Sequence, residues 1–386
     1  MNKKLIRITT VPMAFRYLLQ GQIKFMKQNG FDVLMISADG KERNEVLITE
    51  NCDHIIVPMT RKITPFQDLK CLYQLIKIFK KEKPDIVHSH TPKAGLLGML
   101  AAKITGIKVR IHTVGGIPFT TKTGFKHQLL KLLEKVTYFS ATQVWPNSNS
   151  LQQYILKERL TPERKIKIIL NGSSNGIDLR RFDSASIDIE LQKQTKESIN
   201  YEDNNYYLLF LGRLVFDKGI VELINVFKML HKIHPQLKLL LTGRYENDLD
   251  PLPEQTIEEI NNNPSILQIN WTEVGEYYMS VADCFIFPSH REGFPNVLLQ
   301  AGAMQLPVIC SNIHGNVDII ENKKTGLIFE KGNETEMYNS IKFALDHDNE
   351  MQQMATALHE NIIIHYKREN VWQAILHEYK ALLNSK

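Results

Sequence analysis

Two successive open α/β sheets, each parallel and doubly wound, are the fold class this sequence predicts. Three observations predict it. The chain has 386 residues, more than one hydrophobic core usually serves. Short β-rich runs alternate with helical patterns through its first half. That alternation restarts after a polar stretch at about 184–205.

The first-half strand runs are KLIRITT (4–10), FDVLMIS (31–37), HIIVPM (54–59), DIVHSH (85–90), VRIHTV (109–114), TQVWPNS (142–148) and KIKIIL (165–170). Helical spacing fills the gaps: in 68–82, Leu69, Leu72, Tyr73, Ile76 and Phe79 make one apolar stripe. The first βα turn, TTVPMAFRYLLQGQ, is poor in glycine and leaves Gly21 within a helix. The second series is YYLLFLGR (206–213), LKLLLTG (237–243), ILQI (266–269), CFIFPS (284–289), PVICS (307–311) and GLIFE (326–330). Helices close the chain at roughly 334–347, 350–363 and 370–384. The reading is two Rossmann-like units facing across a cleft, with ligands beyond the carboxyl ends of strands.

Composition narrows the class. Apolar residues make 43% and charged residues 23% of the chain, ordinary values for a soluble protein. Cys52, Cys71, Cys284 and Cys310 are scattered, without CxxC spacing, which fits reduced thiols in the cytoplasm. No apolar run approaches the ~20 residues of a membrane span. The start, MNKKLIRITTVPM, reads as a first strand and not as a signal peptide. Charge is uneven: residues 1–178 hold 28 Lys+Arg against 13 Asp+Glu, and the remainder 19 against 29. A basic half beside an acidic one suits an anionic membrane surface, and a solvated lysine-rich face would look the same. No nucleic-acid partner is expected.

The turns after strands carry the unusual residues. Arg213 follows Gly212, and Lys218-Gly219 opens the next helix, so two cations and free backbone N–H groups suit a diphosphate. His112 precedes Gly115-Gly116, where the backbone can approach a ligand closely. A lone strand histidine is ordinarily a core residue; the glycine pair argues that this one faces the cleft. In SHREGFPNVLLQ the helix begins near Pro295-Asn296. Glu292 then lies in the preceding turn, where it can accept hydrogen bonds from sugar hydroxyls. The N–H groups around Phe294–Val297 can meet an anion. Asn296 and Gln300, four apart, share a helix face on which a ribose could lie.

Absences count too. No G-x-G-x-x-G follows the first strand, no P-loop pattern occurs, and the one D-x-D, Asp248-Leu249-Asp250, lies in a polar loop and is not taken as a metal site. Arg213 and Lys218 can supply the charge neutralisation a metal would give.

GRLVFDKG followed by SHREGFPNVLLQAGAMQLPVICS resembles the donor-binding half of the retaining glycosyltransferases of family 4, which have the GT-B fold. KPDIVHSHTPKAGLLGMLAAKITGIKVRIHTVGG looks like the acceptor-side domain of their bacterial capsule and O-antigen members. The resemblance implies an acceptor-side unit over 1–175, a donor unit over 176–369, and a last helix, 370–386, packing back onto the first. It implies that Arg213 and Lys218 bind the diphosphate and that Glu292 is the first glutamate of a Glu-x7-Glu signature holding the donor sugar. Gly293, Phe294, Pro295, Asn296 and Val297 would line sugar and phosphate, Gly115 and Gly116 would lie along the ligand, and His112 would stand near the reacting centre. The second signature glutamate is Gln300 here, whose amide oxygen can still accept from ribose.

The implied activity moves a sugar, by default an N-acetylhexosamine from UDP, with retention and without metal or other cofactor. The acceptor would be an undecaprenyl-diphosphate-linked saccharide at the cytoplasmic face of the membrane. The basic apolar helices at 68–82 and 126–135 could lie on that surface. Two alternatives stay open: a GT-B nucleotide-sugar 2-epimerase, which needs no acceptor, and a non-catalytic sugar-nucleotide-binding subunit.

Overall fold

The computed structural model describes residues 2–120, 123–246 and 250–385. The alternation of strand and helix resolves into two six-stranded sheets, with every strand pair parallel. The chain divides into unit 1, Met1–Gly176 with Arg368–Lys386, and unit 2, Ile177–Lys367.

Unit 1 holds strands β1 (Lys3–Ile8), β2 (Phe31–Ser37), β3 (Asp53–Ile56), β4 (Ile86–His90), β5 (Val109–Val114) and β6 (Gln143–Pro146), in the order β3-β2-β1-β4-β5-β6. Its helices are α1 (Pro12–Leu18), α2 (Gln22–Gln28), α3 (Arg43–Glu50), α4 (Pro65–Glu82), α5 (Pro92–Ile104), α6 (Gly124–Ser140) and α7 (Asn149–Lys157). Parallel strands are buried on both faces, and each face of this sheet has its own core. Ile6, Ile8, Val87 and Val144 pack with Cys71, Leu75 and Phe79 of α4, Leu97 of α5 and Tyr138 of α6. Leu5, Ile86, Val109, Ile111 and Trp145 pack on the other face with α1, α2 and the last helix.

Unit 2 opens with α8 (Ile189–Ser198). Its strands are β7 (Tyr206–Leu211), β8 (Leu237–Thr242), β9 (Ile266–Ile269), β10 (Cys284–Phe287), β11 (Val308–Ser311) and β12 (Leu327–Phe329), ordered β12-β11-β10-β7-β8-β9. Between and after them run α9 (Ile220–His231), α10 (Glu254–Asn262), α11 (Gly275–Met279), α12 (Asn296–Ala303), α13 (Asn316–Ile319), α14 (Glu334–Asp346) and α15 (Asp348–His365). The final helix, α16 (Arg368–Asn384), belongs to unit 1. It buries Val371, Ile375, Leu376 and Tyr379 in the second of that unit's cores, each side chain contributing roughly 1.5–3 kcal/mol.

Three expectations are corrected. KIKIIL is not a seventh strand: only Ile166 bridges Val144, and the chain turns away, reaching a left-handed backbone at Leu170, φ 51°. Lys165 explains the departure, because its Nζ donates to the carbonyls of Tyr138, Phe139 and Ala141 at the end of α6 (3.1, 3.1 and 2.8 Å). Gly21 does not lie within a helix. It separates α1 from α2 at φ 81°, where a Cβ would meet the Trp372 ring at 2.8 Å. In α4 the buried face is Cys71, Leu75 and Phe79, whereas Leu69 and Tyr73 of the expected stripe are exposed. The sequence shows two overlapping apolar sets on that helix, and only packing against α5 selects one.

The four thiols are free and buried. Burial pushes Cys284 and Cys310 well up, and Cys52 up to about 11, so they pack as small apolar groups.

Candidate functional site

Both sheets have the strand order that creates a switch point, in unit 2 between β7 and β10 and in unit 1 between β1 and β4. In unit 2 the segments leaving β7 and β10 are stapled together there. The Asp217 carbonyl accepts from the His290 N–H (2.8 Å) and lies 3.3 Å from Ser289 Oγ. The Asp217 carboxylate takes Arg291 at 3.2 Å, and its own N–H donates to Asp250 Oδ2 at 2.7 Å. Asp250 is thereby a turn brace; Asp248 and Leu249 lie outside the described residues. Gly219, at φ 69°, permits the approach, because a Cβ there would sit 2.2 Å from the Pro288 carbonyl oxygen.

At this junction Lys218 Nζ pairs with Glu292 Oε1, which also accepts from Ser289 Oγ at 2.9 Å. Ser289 is itself held, since Ser311 Oγ donates to its carbonyl at 2.5 Å and Asn316 Nδ2 donates to the Ser311 carbonyl at 2.9 Å. One carboxylate oxygen of Glu292 is therefore fixed by a cation and a hydroxyl. The other makes no hydrogen bond among the described residues. Arg213 stands elsewhere, on Glu246 Oε2 at 2.6 Å, so the two cations expected at one spot reach different carboxylates. His290 Nε2 lies 2.9 Å from Glu222 Oε1, at an angle that makes no well-formed hydrogen bond. Burial pushes the Glu222 carboxyl up, and the nearby imidazole and backbone donors outweigh it, leaving Glu222 below the usual range.

α12 starts at Asn296 after Pro295, so its first N–H groups point out of its amino end. Gly293, Phe294 and Pro295 are buried, and Val297 is half-buried. The Asn296 and Gln300 amides, half-buried on one face, make no side-chain hydrogen bonds among the described residues. Ser289, Asp217 and Glu246 were not singled out in the sequence. Asp217 and Glu246 bond across 33 to 74 residues of chain, and the Ser289–Glu292 bond, only three residues apart, lies in a turn that no periodicity signals.

Unit 1 corrects the expectation for His112. Its imidazole does not face a cleft: it is 2% exposed, bonded through Nδ1 to Ser89 Oγ at 2.9 Å and tilted against Tyr138 at 6.0 Å. It lies so close under α5 that a Cβ on Gly95 would meet its Cε1 at 2.3 Å. Burial lowers its pKa to about 4, so it is a neutral core residue. The Gly-Gly pair that pointed to it stands three residues on: Gly115 is exposed past β5, and Gly116 has φ 137°.

A second polar set occupies the opposite face of the same sheet. Arg7, fully buried, donates to Tyr379 Oη (3.0 Å), Gln22 Oε1 (2.7 Å) and His90 Nε2 (2.8 Å). Tyr379 Oη lies 2.5 Å from His88 Nδ1, and His88 Nε2 lies 2.7 Å from Thr113 Oγ1. Burial first, and neighbouring positive groups second, hold His88 and His90 well below the usual imidazole range. A roomy cavity of about 850 Å³ opens at the other, amino-terminal edge of this sheet, past Lys3, Asp85 and Val109, the edge at which open α/β sheets do not bind ligands.

Comparison with known proteins shows the family and the fold. Residues 192–360 match the family described as glycosyl transferases group 1, and residues 7–148 match glycosyl transferase 4-like. The chain is 34% identical to the capsular polysaccharide biosynthesis glycosyltransferase CapM of Staphylococcus aureus, over 99% of this chain and 98% of that one. It is 27% identical to an Escherichia coli UDP-Gal:alpha-D-GlcNAc-diphosphoundecaprenol alpha-1,3-galactosyltransferase, over 83% and 81% of the two chains. A glycosyltransferase structure from Rickettsia africae shares the fold with a TM-score of 0.78 at 22% identity, covering 100% of both chains.

Proposed function

The chain belongs to the group 1 glycosyltransferases, and from that premise we propose that it moves a sugar from a nucleotide diphosphate to a hydroxyl of a lipid-diphosphate-linked saccharide during surface-polysaccharide synthesis. The observation that carries this reading is the Lys218–Glu292 pair at the switch point of unit 2. It leaves one Glu292 oxygen open beside the amino end of α12 and the unpaired Asn296 and Gln300 amides. A sugar hydroxyl donates, and that oxygen accepts.

As the glycosidic bond breaks, negative charge grows on the leaving diphosphate. Lys218, the first N–H groups of α12 and, from its place on Glu246 nearby, Arg213 are positive groups that can stabilise it, which lowers the barrier. Lys218 and Arg213 would then exchange a carboxylate partner for phosphate oxygens. Gln300 takes ribose through its amide oxygen. The cations supply the charge that a metal would, so transfer proceeds without one, and its stereochemistry is retention. UDP as the carrier is supported by the UDP-Gal donor named for the E. coli relative. An N-acetylhexosamine is the donor sugar the resemblance favours, and an undecaprenyl-diphosphate saccharide is the acceptor class that relative's name supports.

Unit 1 is suited to an anionic membrane surface. Among the described residues no helix is long and apolar enough to cross a membrane. α5 packs between α4 and α6. α4 exposes Phe66, Leu69 and Tyr73 beside Lys70 and Lys77, and α6 exposes Phe125, Leu132 and Phe139 beside Lys126 and Lys135. Aromatic and leucine side chains among lysines are what an interfacial helix presents. The place of action is then the cytoplasmic face of the membrane.

The test is a screen of nucleotide sugars for thermal stabilisation, followed by product analysis with and without a lipid-diphosphate sugar and with EDTA. The expected result is stabilisation by a UDP-sugar and a new glycoside that needs the acceptor and survives chelation. A donor epimerised without acceptor, or bound and never turned over, contradicts the proposal.

A further inference from the structure

The polar set of unit 1 has a direction, and the direction leads to an opening. An arginine only donates, so Tyr379 Oη and His90 Nε2 both accept from Arg7. The Tyr379 hydroxyl hydrogen has His88 Nδ1 as its acceptor among the described residues; with it placed there, His88 carries its proton on Nε2 and donates to Thr113 Oγ1. Accepting at Nε2 leaves the His90 proton on Nδ1. Among the described residues two donors remain without a recipient: the Thr113 hydroxyl hydrogen and the His90 Nδ1–H. The Trp145 indole N–H, which can only donate, is a third, buried and unpaired while its ring stacks on Tyr379 and meets His88 edge-on.

These three side chains line one small niche at the carboxyl ends of β4, β5 and β6, with Asn147 and Ser174 also in its lining. Its free volume is about 10 Å³, room for a single oxygen atom. Among the described residues no carboxylate lines it. Of the side-chain oxygens around it, Asn147 Oδ1 accepts from Ser174, and Ser173 Oγ accepts from the Asn175 and Gly176 N–H groups. A water there has two lone pairs for three donors, so one donor stays unmatched whatever takes its hydrogens. An anionic phosphate oxygen has three lone pairs and matches the whole set.

Charge argues the same way. Among the described residues Arg7 is buried without an ion pair, although a buried cation is costly unless an anion compensates it. Glu50, the acid whose charge it feels, is itself pushed up by burial and bonded to the Gly21 and Lys24 N–H groups. The unbalanced positive charge reaches the niche through the His90 ring, because hydrogen bonds in series polarise one another.

We propose that this niche seats a phosphate oxygen of the acceptor's diphosphate, held by His90, Thr113 and Trp145 in front of Arg7. This rests on the proposed acceptor class, and its test does not require turnover. The chain has three tryptophans, Trp145, Trp271 and Trp372, so its indole N–H region is simple to assign by ¹H–¹⁵N spectroscopy with Trp145→Phe as reference. Titration of the full chain with inorganic pyrophosphate should move the Trp145 indole proton downfield, saturably. Thr113→Val should weaken that response about tenfold, the worth of one hydrogen bond to an anion. Farnesyl diphosphate should give the same shift, as a lipid-linked source requires; a response to pyrophosphate alone overturns the acceptor assignment.

In transfer assays Thr113→Val and Trp145→Phe should each raise KM for a lipid-diphosphate sugar and leave the donor KM unchanged. Should one variant fail to fold, the other carries the kinetic test and the wild-type titration stands by itself. A Trp145 signal unmoved by pyrophosphate, as an ordered water in the niche would leave it, overturns the proposal. Sugar transfer with a silent Trp145 sinks the niche and spares the enzymatic reading. A responsive Trp145 without transfer does the reverse.

Discussion

At the switch point of unit 2, between β7 and β10, charges meet in pairs at a half-open surface: Lys218 with Glu292, Arg291 with Asp217, and Arg213 with Glu246 nearby. Around the switch point of unit 1, between β1 and β4, Arg7 lies buried with neutral histidines, and among the described residues no carboxylate pairs with it. The strand order is the same. What differs is what each end asks of a ligand. Paired ions can exchange partners when a substrate arrives, at little desolvation cost, which suits a site that must also release product. A buried donor set is fixed before binding and selects one kind of atom. One unit is built to trade charges and the other to hold an oxygen.

The sharpest way to break this contrast is in unit 2. Lys218→Ala should lower kcat about 100-fold or more, the loss expected when one stabilising group leaves a developing oxyanion. A variant that turns over normally would mean that the pair is merely structural.

Unit 1 should be the acid-sensitive half. His112, at about 4 when folded against about 6.5 unfolded, binds fewer protons in the native state between those values. Its contribution, on the order of 2–3 kcal/mol, is complete above pH ~6.5 and lost as pH falls towards 4. His88 and His90, lowered further by burial, act in the same sense. Glu134 opposes them: burial raises it to about 7, so its effect on stability worsens as pH rises from about 4.5 to 7. Hydrogen exchange on Glu134→Gln should therefore show β4 and β5 losing protection on acidification before β7 and β10 do. Equal loss in both sheets would remove the distinction.

Gly95→Ala sharpens the placement of His112. The added Cβ collides with the ring, and the chain should lose about 1–3 kcal/mol in denaturant melts, as overpacked cores do. No loss would put the histidine outside the core. The smallest effect is expected at Gln300→Glu. A carboxylate accepts from a ribose hydroxyl more strongly than an amide does, so donor KM should fall several-fold with kcat unchanged. A rise would show that the Gln300 amide donates rather than accepts.

Much of the fold was legible because strand and helix periods differ and each turn between them is marked by Gly, Pro or a polar cluster. The expected strand at 165–170 failed because alternation cannot reveal that Lys165 is engaged in capping α6. Glu292, Lys218 and Gln300 stood out since charge and amide groups at a strand-turn-helix junction are rare enough to notice. His112 misled because sequence gives a strand residue's neighbours along the chain and not the face it takes. The two faces of β5 hold His112 and Thr113 side by side in sequence, and the one without the obvious chemistry borders the niche. Arg7, Tyr379 and Gln22 escaped notice altogether, since their bonds span 15 to 372 residues.

Everything proposed for unit 2 turns on Glu292 as the group that meets the donor sugar. Initial rates of sugar transfer for Glu292→Ala, set beside its nucleotide-sugar-induced thermal shift, test this most directly. A folded variant that keeps the UDP shift and loses about 100-fold or more in transfer is the predicted result. Full transfer activity from Glu292→Ala would contradict the account.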